Sequence, residues 1–153
     1  MASDLTDWKY NLTDAERNLV GNILKAFTQA EVVVGDYWRN VAEWFPKPEI
    51  AAMAAAFGDF ETIHQRAYAL LNETLGLDDF AAFLEEESAK NKLETLMHVD
   101  NSTKDLYQIA RSLAIFSAFT EGVSIFSSFA VLLSFQTRNL LKGVGQIVSW
   151  SIS

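Results

Sequence analysis

The fold that this chain can adopt is constrained most by the positions of the residues that end helices. Only two prolines occur in 153 residues, and Pro46, Pro48 and Gly76 lie at the boundaries of long segments in which apolar residues recur every three or four positions. That spacing is typical of amphipathic helices and leaves little sequence for strands or linkers. The sequence therefore predicts an all-α fold in which residues 1–153 form a single domain.

Local signals predict where the helices begin and end. Thr13 and Glu16 form a capping-box pattern, so the first helix is expected from Thr13 to about Phe45, where the prolines stop it. Pro48 suits the first turn of a second helix that ends at the C-cap Gly76. Three further helices are predicted: residues 79–97, a helix capped by residues 101–103 and apolar over 113–135, and one that begins near residue 137 and continues to the end of the sequence.

The apolar segment 112–135 is long enough to cross a bilayer. Its single charged residue, Glu121, lies in the middle, where a carboxylate costs about 2.5–3.5 kcal/mol on insertion scales. Six serines also lower its hydrophobicity. We therefore expect a helix buried on all sides at the centre of a soluble bundle, and no membrane segment.

Composition excludes several classes of function. A net charge of −8 argues against a nucleic-acid partner, which would require clustered cations. The absence of cysteine excludes disulfides, thiolate metal sites and a cysteine nucleophile. A metal site would have to use Asp, Glu and the two histidines, His64 and His98. The polar, acidic start of the chain does not resemble a secretory signal, so a cytoplasmic protein is expected.

Acidic residues occur where the periodicity predicts buried positions. Glu31 follows Phe27 by four residues on the apolar stripe of the first helix, Glu61 and His64 share one face of the second, and Glu121 is flanked by apolar turns. Burying unpaired carboxylates costs several kcal/mol each, so these acids need positive charge. Oxygen ligands with one imidazole suit iron or manganese.

Each of these residues also has a simpler interpretation. A Glu three residues before a His is common in helices without any metal, and Glu31 taken alone would be a surface residue. Tyr68 would be a core residue with a hydrogen-bonded hydroxyl. His98, near a predicted helix end, is assigned no role. The metal interpretation gains weight because separate helices each supply an inward acid, as in di-iron carboxylate bundles, although the second Glu-x-x-His of that pattern is missing.

Four stretches, residues 7–13, 27–32, 61–68 and 121–129, carry a resemblance to a known family. They resemble the small, radical-generating subunit of class I ribonucleotide reductase, and the spacing Glu-x-x-His-x-x-x-Tyr at 61–68 is the most specific part. The resemblance implies a ferritin-like fold, two iron ions with manganese as an alternative, a partnership with the large catalytic subunit, and a homodimer.

The same resemblance implies roles for individual residues. Glu31, Glu61, His64 and Glu121 would be metal ligands, with Glu31 standing where many members have Asp. Tyr68 would be the residue that is oxidised to a stable radical, which is passed to the large subunit for reduction of ribonucleotides to deoxyribonucleotides. Two further positions would line the apolar pocket around the radical. Phe129 matches part of that pocket, and Ile125 occupies a position where family members often have an aromatic residue.

The resemblance also implies that part of the family's pattern is absent. In the family the second Glu-x-x-His follows a segment like 145–153, and a further N-terminal segment carries a Trp on the radical path. The chain is therefore expected to be incomplete at both ends, with its bundle truncated before the last ligand helix is complete. We expect it to need a complementing C-terminal polypeptide and to be inactive in isolation. Two alternatives remain open: another ferritin-like di-iron oxidase, and a metal-free helical interaction module.

Overall fold

In a computed structural model that describes residues 2–77, 79–97 and 102–152, most of the chain is helical, and those ranges contain no strand. The all-α prediction is confirmed. Two π-helical segments (Asp7–Asn11 and Ala114–Ile125) and a 3-10 turn (Phe135–Arg138) supplement the α-helices. The α-helices are α1 (Ala2–Thr6), α2 (Asp14–Trp44), α3 (Pro48–Leu75), α4 (Phe80–Glu85), α5 (Glu87–Met97), α6 (Leu106–Leu113), α7 (Phe126–Ser134) and α8 (Lys142–Ile152).

The two long helices have the ends that local signals predicted. The N-cap Thr13 accepts a hydrogen bond from the Glu16 backbone N–H at 3.3 Å, and the Glu16 carboxylate accepts one from the Thr13 N–H at 2.8 Å. α3 begins at Pro48, as expected for a residue without a backbone N–H. It ends at Gly76, whose φ of 71° lies in the left-handed region that glycine adopts without strain.

The later boundaries differ from the prediction. The predicted helix 79–97 is interrupted at Glu86, whose extended backbone separates α4 from α5. The cap of α6 is Asp105, whose carboxylate accepts from the Tyr107 N–H at 2.9 Å, so the expected cap at 101–103 is wrong for its described residues. Asn101 and His98 lie outside the described residues. The last helix begins at Lys142 because left-handed backbone at Asn139 and Leu141 (φ 62° and 50°) follows the 3-10 turn.

α2 and α3 form an antiparallel pair that organises two apolar clusters. Asn72 near the end of α3 donates to the Leu24 carbonyl and the Thr28 hydroxyl, whereas Arg39 near the end of α2 donates to the Gly58 carbonyl. The first cluster surrounds Tyr68 and joins α2, α3, α7 and α8; the second surrounds Tyr37 and joins α2 to α6 and the long π-helical segment. Residues of the first cluster include Leu24, Phe27, Leu71, Ile125, Phe129, Leu132, Leu141, Val144 and Val148.

The apolar helix is only partly buried. By length and composition the continuous helical run 106–138 is sufficient to cross a membrane, yet only 28% of its most apolar stretch is buried in the protein. The expectation of a helix buried on all sides is therefore wrong for the described residues. The described elements pack on one side of the run, and Phe119, Val123 and Phe126 on its other side are more than half exposed.

The first turns of the chain hold the start of the last helix. Asp4, 1% exposed, accepts hydrogen bonds from the Gly143 and Val144 N–H groups at 3.0 Å each. Asp7 accepts from the Leu141 N–H at 2.9 Å. The first N–H groups of a helix have no acceptor within the helix, and negative charge at that end is favourable. The side-chain carboxylates of Asp4 and Asp7 therefore cap the N-terminus of α8.

Replacing Asp4 by Ala removes the acceptor of two N–H groups at the start of α8. We expect Asp4→Ala to lower the free energy of unfolding by about 1–3 kcal/mol, because buried donors lose their partner. Urea denaturation measures this loss. The control is Asp59→Ala, which truncates an exposed carboxylate on α3 and is expected to stay within about 0.5 kcal/mol of the parent. Equal stabilities for the two variants would contradict the capping role.

Candidate metal centre

The close approach of α2 and α3 brings acidic side chains together. Gly35 lies one turn after Glu31, and a Cβ atom at this glycine would stand 3.2 Å from the Cβ of Glu61. That distance is shorter than ordinary van der Waals contact, so a side chain at position 35 would require Glu61 or the helix backbone to shift by a few tenths of an ångström. The missing side chain at Gly35 thus lets Glu31 and Glu61 face each other across the helix pair.

Three of the four predicted ligands form one compact group. Single ligand atoms of Glu31, Glu61 and His64 all lie within 4.8 Å of one another. The Nδ1 atom of His64 is 3.1 Å from Oε2 of Glu61, which is the contact expected of a Glu-x-x-His pair on one helix face. Glu31 is 3% exposed and Glu61 is 9% exposed.

The fourth predicted ligand, Glu121, lies on the wall of the adjoining cavity and outside that compact group. Its Oε1 atom accepts a hydrogen bond from the Trp38 indole N–H at 3.2 Å. The cavity measures about 530 Å³, and its lining includes Glu61, His64 and Glu121. The remaining lining residues are Trp38, Phe57, Phe60, Ser117, Trp150 and Ser151.

The buried carboxyl groups change one another's acidity. Burial raises the pKa of Glu31 to about 10, and the hydrogen bond to Glu61 and the charges of Glu61 and Glu121 add to this. Burial also opposes ionisation of Glu61, but hydrogen bonds from His64 and Glu31 and the charges of His64 and Arg39 lower its pKa below the usual value. Burial raises the pKa of Glu121, as does the charge of Glu61. Without a cation, the raised pKa of Glu31 and the lowered pKa of Glu61 favour a proton on Glu31 and a charge on Glu61.

The residues present fit a metal ion. The Oε2 atom of Glu31 is buried and has no hydrogen-bond partner, which is costly for a carboxyl oxygen. Carboxylate oxygens together with an imidazole form a donor set that suits iron or manganese. A cation at this position would give the orphaned oxygen a partner and supply the positive charge that the two carboxyl groups lack.

Tyr68 lies one turn after His64 in an aromatic pocket. It is fully buried, its ring centroid is 4.8 Å from that of Phe27, and Phe129 stands 5.2 Å from Phe27. Its hydroxyl donates to Oγ of Ser151 at 2.9 Å. Burial raises the pKa of Tyr68, the hydrogen bond to Ser151 opposes this, and the charges of Glu31 and Glu61 raise it further. The residue is therefore a neutral phenol beside the acidic group.

Sequence reasoning missed two residues at this site. Trp38 follows Glu31 by seven residues, which places both on one face of α2, so its proximity could have been inferred. Ser151 offers no such signal, because its position depends on how α8 packs against α3.

The shared proton predicts how the stability of the metal-free chain depends on pH. The pKa of Glu31 is raised from 4.5 unfolded to about 10 folded, so its contribution is complete below 4.5 and is lost as the pH rises towards 10. We expect the free energy of unfolding to fall by up to about 1.4 kcal/mol per pH unit between pH 5 and 9. Glu31→Gln, which carries no titrating proton, should flatten this slope. Urea denaturation at several pH values measures it, and identical slopes in both proteins would contradict the protonated state.

Comparison with known proteins identifies the family. The family model described as "Ribonucleotide reductase, small chain" matches residues 1–153. The chain is 38% identical, over 99% of its length, to a protein of invertebrate iridescent virus 6 named as a probable ribonucleoside-diphosphate reductase small subunit, and 35% identical to the equivalently named protein of invertebrate iridescent virus 3. It is 28% identical to the ribonucleoside-diphosphate reductase subunit beta of Chlamydia pneumoniae.

The alignments cover this chain almost completely but cover only part of each relative. The aligned region is 99%, 100% and 95% of the chain and 46%, 45% and 46% of the three relatives, so the chain spans less than half their length. The helical architecture agrees with the all-α, ferritin-like fold of this metal-using family. With a family model that matches throughout and a carboxylate–histidine group at the predicted positions, the chain belongs to the ribonucleotide reductase small-chain family.

Proposed function

We propose that this chain forms the part of a ribonucleotide reductase small subunit that carries the first metal ligands and the radical-forming tyrosine. The observation that carries the proposal is the convergence of Glu31, Glu61 and His64, with Tyr68 one helical turn away in a dry pocket. In the whole enzyme the radical formed on Tyr68 would be passed to the large subunit, which reduces ribonucleotides to deoxyribonucleotides.

The chain's residues have distinct tasks in this proposal. Glu31, Glu61, His64 and Glu121 would hold iron, with manganese as the alternative metal. When bound, the iron supplies the reduction of dioxygen and the one-electron oxidation of Tyr68. Aromatic side chains around Tyr68, among them Phe27 and Phe129, exclude water and reductants from the phenol oxygen.

A complete site would need ligands from a further polypeptide segment. Di-iron bundles of this type use six side chains, two of them from a second Glu-x-x-His, whereas four are assigned here. The cavity beside Glu121 is open, and apolar side chains at its rim are well exposed, such as Phe60 at 56% and Trp150 at 69%. We propose that a complementing C-terminal polypeptide covers this side and that the assembly is a cytoplasmic homodimer.

A metal-free interaction module is the competing proposal, and one observation favours it. The raised pKa of Glu31 favours a proton on the pair, which would lower the cost of burying it without a cation, although Oε2 of Glu31 still lacks a hydrogen-bond partner. In that case the exposed apolar rim of the cavity would be the functional feature, and metal ions would have no effect on the chain. The two proposals therefore differ in what ferrous or manganous ions do to stability.

Metal binding should stabilise the folded chain. With Fe²⁺ added without oxygen, or Mn²⁺, at 100 times the dissociation constant, we expect a gain of about 2.7 kcal/mol in the free energy of unfolding. Glu61→Gln should abolish most of this gain because it removes a charged ligand. The matched control is Glu73→Gln on the exposed side of the same helix. Thermal melts with and without metal measure the effect, and no gain in the parent chain would favour the metal-free module.

Tyr68→Phe separates radical chemistry from other oxidase chemistry. The parent chain, combined with a complementing C-terminal segment and the large subunit, is expected to reduce ribonucleotides and to show a tyrosyl radical by electron paramagnetic resonance. Tyr68→Phe should lose both while still binding metal, since the hydroxyl is not an assigned ligand. Retained reduction would contradict the radical role. A stoichiometric two-iron site with a radical in the isolated chain would contradict the need for complementation.

A further inference from the structure

The pocket around Tyr68 contains one polar contact at the phenol oxygen. The neighbouring side chains Phe27, Ile125 and Phe129 cannot donate or accept hydrogen bonds. Ser151 on α8 reaches into this pocket, and its Oγ atom lies 2.9 Å from the Tyr68 oxygen. Ser151 is half-buried and also lines the open cavity beside Glu61, so its hydroxyl belongs both to that cavity and to the surroundings of the Tyr68 oxygen.

The direction of this hydrogen bond follows from the second contact of Ser151. The Ser151 hydroxyl donates to the Ile147 carbonyl one turn earlier, at 3.1 Å. A serine hydroxyl has a single proton and two lone pairs, so a serine that donates to Ile147 can only accept from Tyr68. The phenolic proton of Tyr68 is therefore held towards α8.

We propose that Ser151 is a positioning residue for Tyr68: its hydroxyl orients the phenolic O–H before oxidation and donates a hydrogen bond to the phenoxyl oxygen afterwards. This inference rests on the proposed function. Ser151 would thus have a role separate from those of the metal ligands and of the aromatic side chains around Tyr68. The only movement required is a rotation of the serine hydroxyl about its Cβ–Oγ bond.

The hydrogen bond between Ser151 and Tyr68 reverses its direction because oxidation removes both an electron and the phenolic proton from Tyr68. Tyr68 loses one electron and its phenolic proton, and dioxygen is the final acceptor of both. Iron held by the proposed ligands would supply two more electrons, and an external one-electron reductant would supply the fourth, so that dioxygen is reduced to the level of water. The phenoxyl oxygen then has no proton and can only accept. Ser151 satisfies it by turning its O–H from the Ile147 carbonyl to Tyr68.

The hydrogen bond can be tested in the metal-free chain, independently of any radical. Tyrosine labelled with ¹³C at Cζ reports the hydroxyl environment, and Tyr68→Phe assigns its signal by nuclear magnetic resonance. We expect Ser151→Ala to shift the Tyr68 signal and Ser151→Thr, which keeps a hydroxyl, to restore it. The signals of the exposed residues Tyr10 and Tyr107 should not change. An unchanged Tyr68 signal in Ser151→Ala would overturn the inference.

The radical form supplies the second test. In the chain complemented and treated with Fe²⁺ and dioxygen, a hydrogen bond to the phenoxyl oxygen lowers the largest g value and adds a coupling to one proton that exchanges in D₂O. We expect both features in the parent and in Ser151→Thr, and neither in Ser151→Ala. A radical with identical g values in Ser151→Ala would refute this inference alone. Absence of any tyrosyl radical in the parent would instead refute the proposed function and, with it, the role of Ser151.

Discussion

The carboxyl pair formed by Glu31 and Glu61 is the interaction on which the centre of this structure depends. It sits where α2 and α3 approach closely beside Gly35; Glu31 is buried there, and Glu61 is largely buried at the edge of the open cavity. Burial and mutual repulsion oppose ionisation of both carboxyl groups at once: the pKa of Glu31 is raised, and that of Glu61 is lowered. The same shortage of positive charge that forces the proton to be shared makes the pair a receptive site for a cation. The proposed metal binding and the stability of the metal-free chain would therefore both depend on the burial of this carboxyl pair.

Much of this arrangement could be read from the sequence because its causes are local. The capping box at Thr13, Pro48 and Gly76 act within one turn, so the bounds of α2 and α3 were predictable. The contact between Glu61 and His64 follows from their spacing of three residues on one helix. The structure shows that Glu31, Glu61 and His64 lie close together, and their role as metal ligands is a proposal. The break at Glu86 and the late start of α8 were not predictable, because backbone conformations at single residues decide them.

The remaining differences between the prediction and the structure arise where the helix departs from the regular α-helical period of about 3.6 residues per turn. The segment Ala114–Ile125 is π-helical, and its wider turn means that residues three or four apart no longer align as they do in an α-helix. The facing of Glu121 and the exposure of Phe119 and Val123 could not be derived from an α-helical wheel for that reason. π-helical segments frequently occur at functional sites, and here the segment carries the carboxylate that accepts from Trp38.

The capping of α8 by Asp4 and Asp7 has a consequence for the order of folding. The hydrogen bonds join residues 134 to 140 positions apart, whereas the capping box of α2 closes within three. Closing so large a loop costs more chain entropy than closing a local one, so this contact is disfavoured until the intervening helices have packed. We therefore expect the contacts of α8, and with them its hydrogen bond to Tyr68, to form after α2 and α3 have paired and brought Glu31 and Glu61 together.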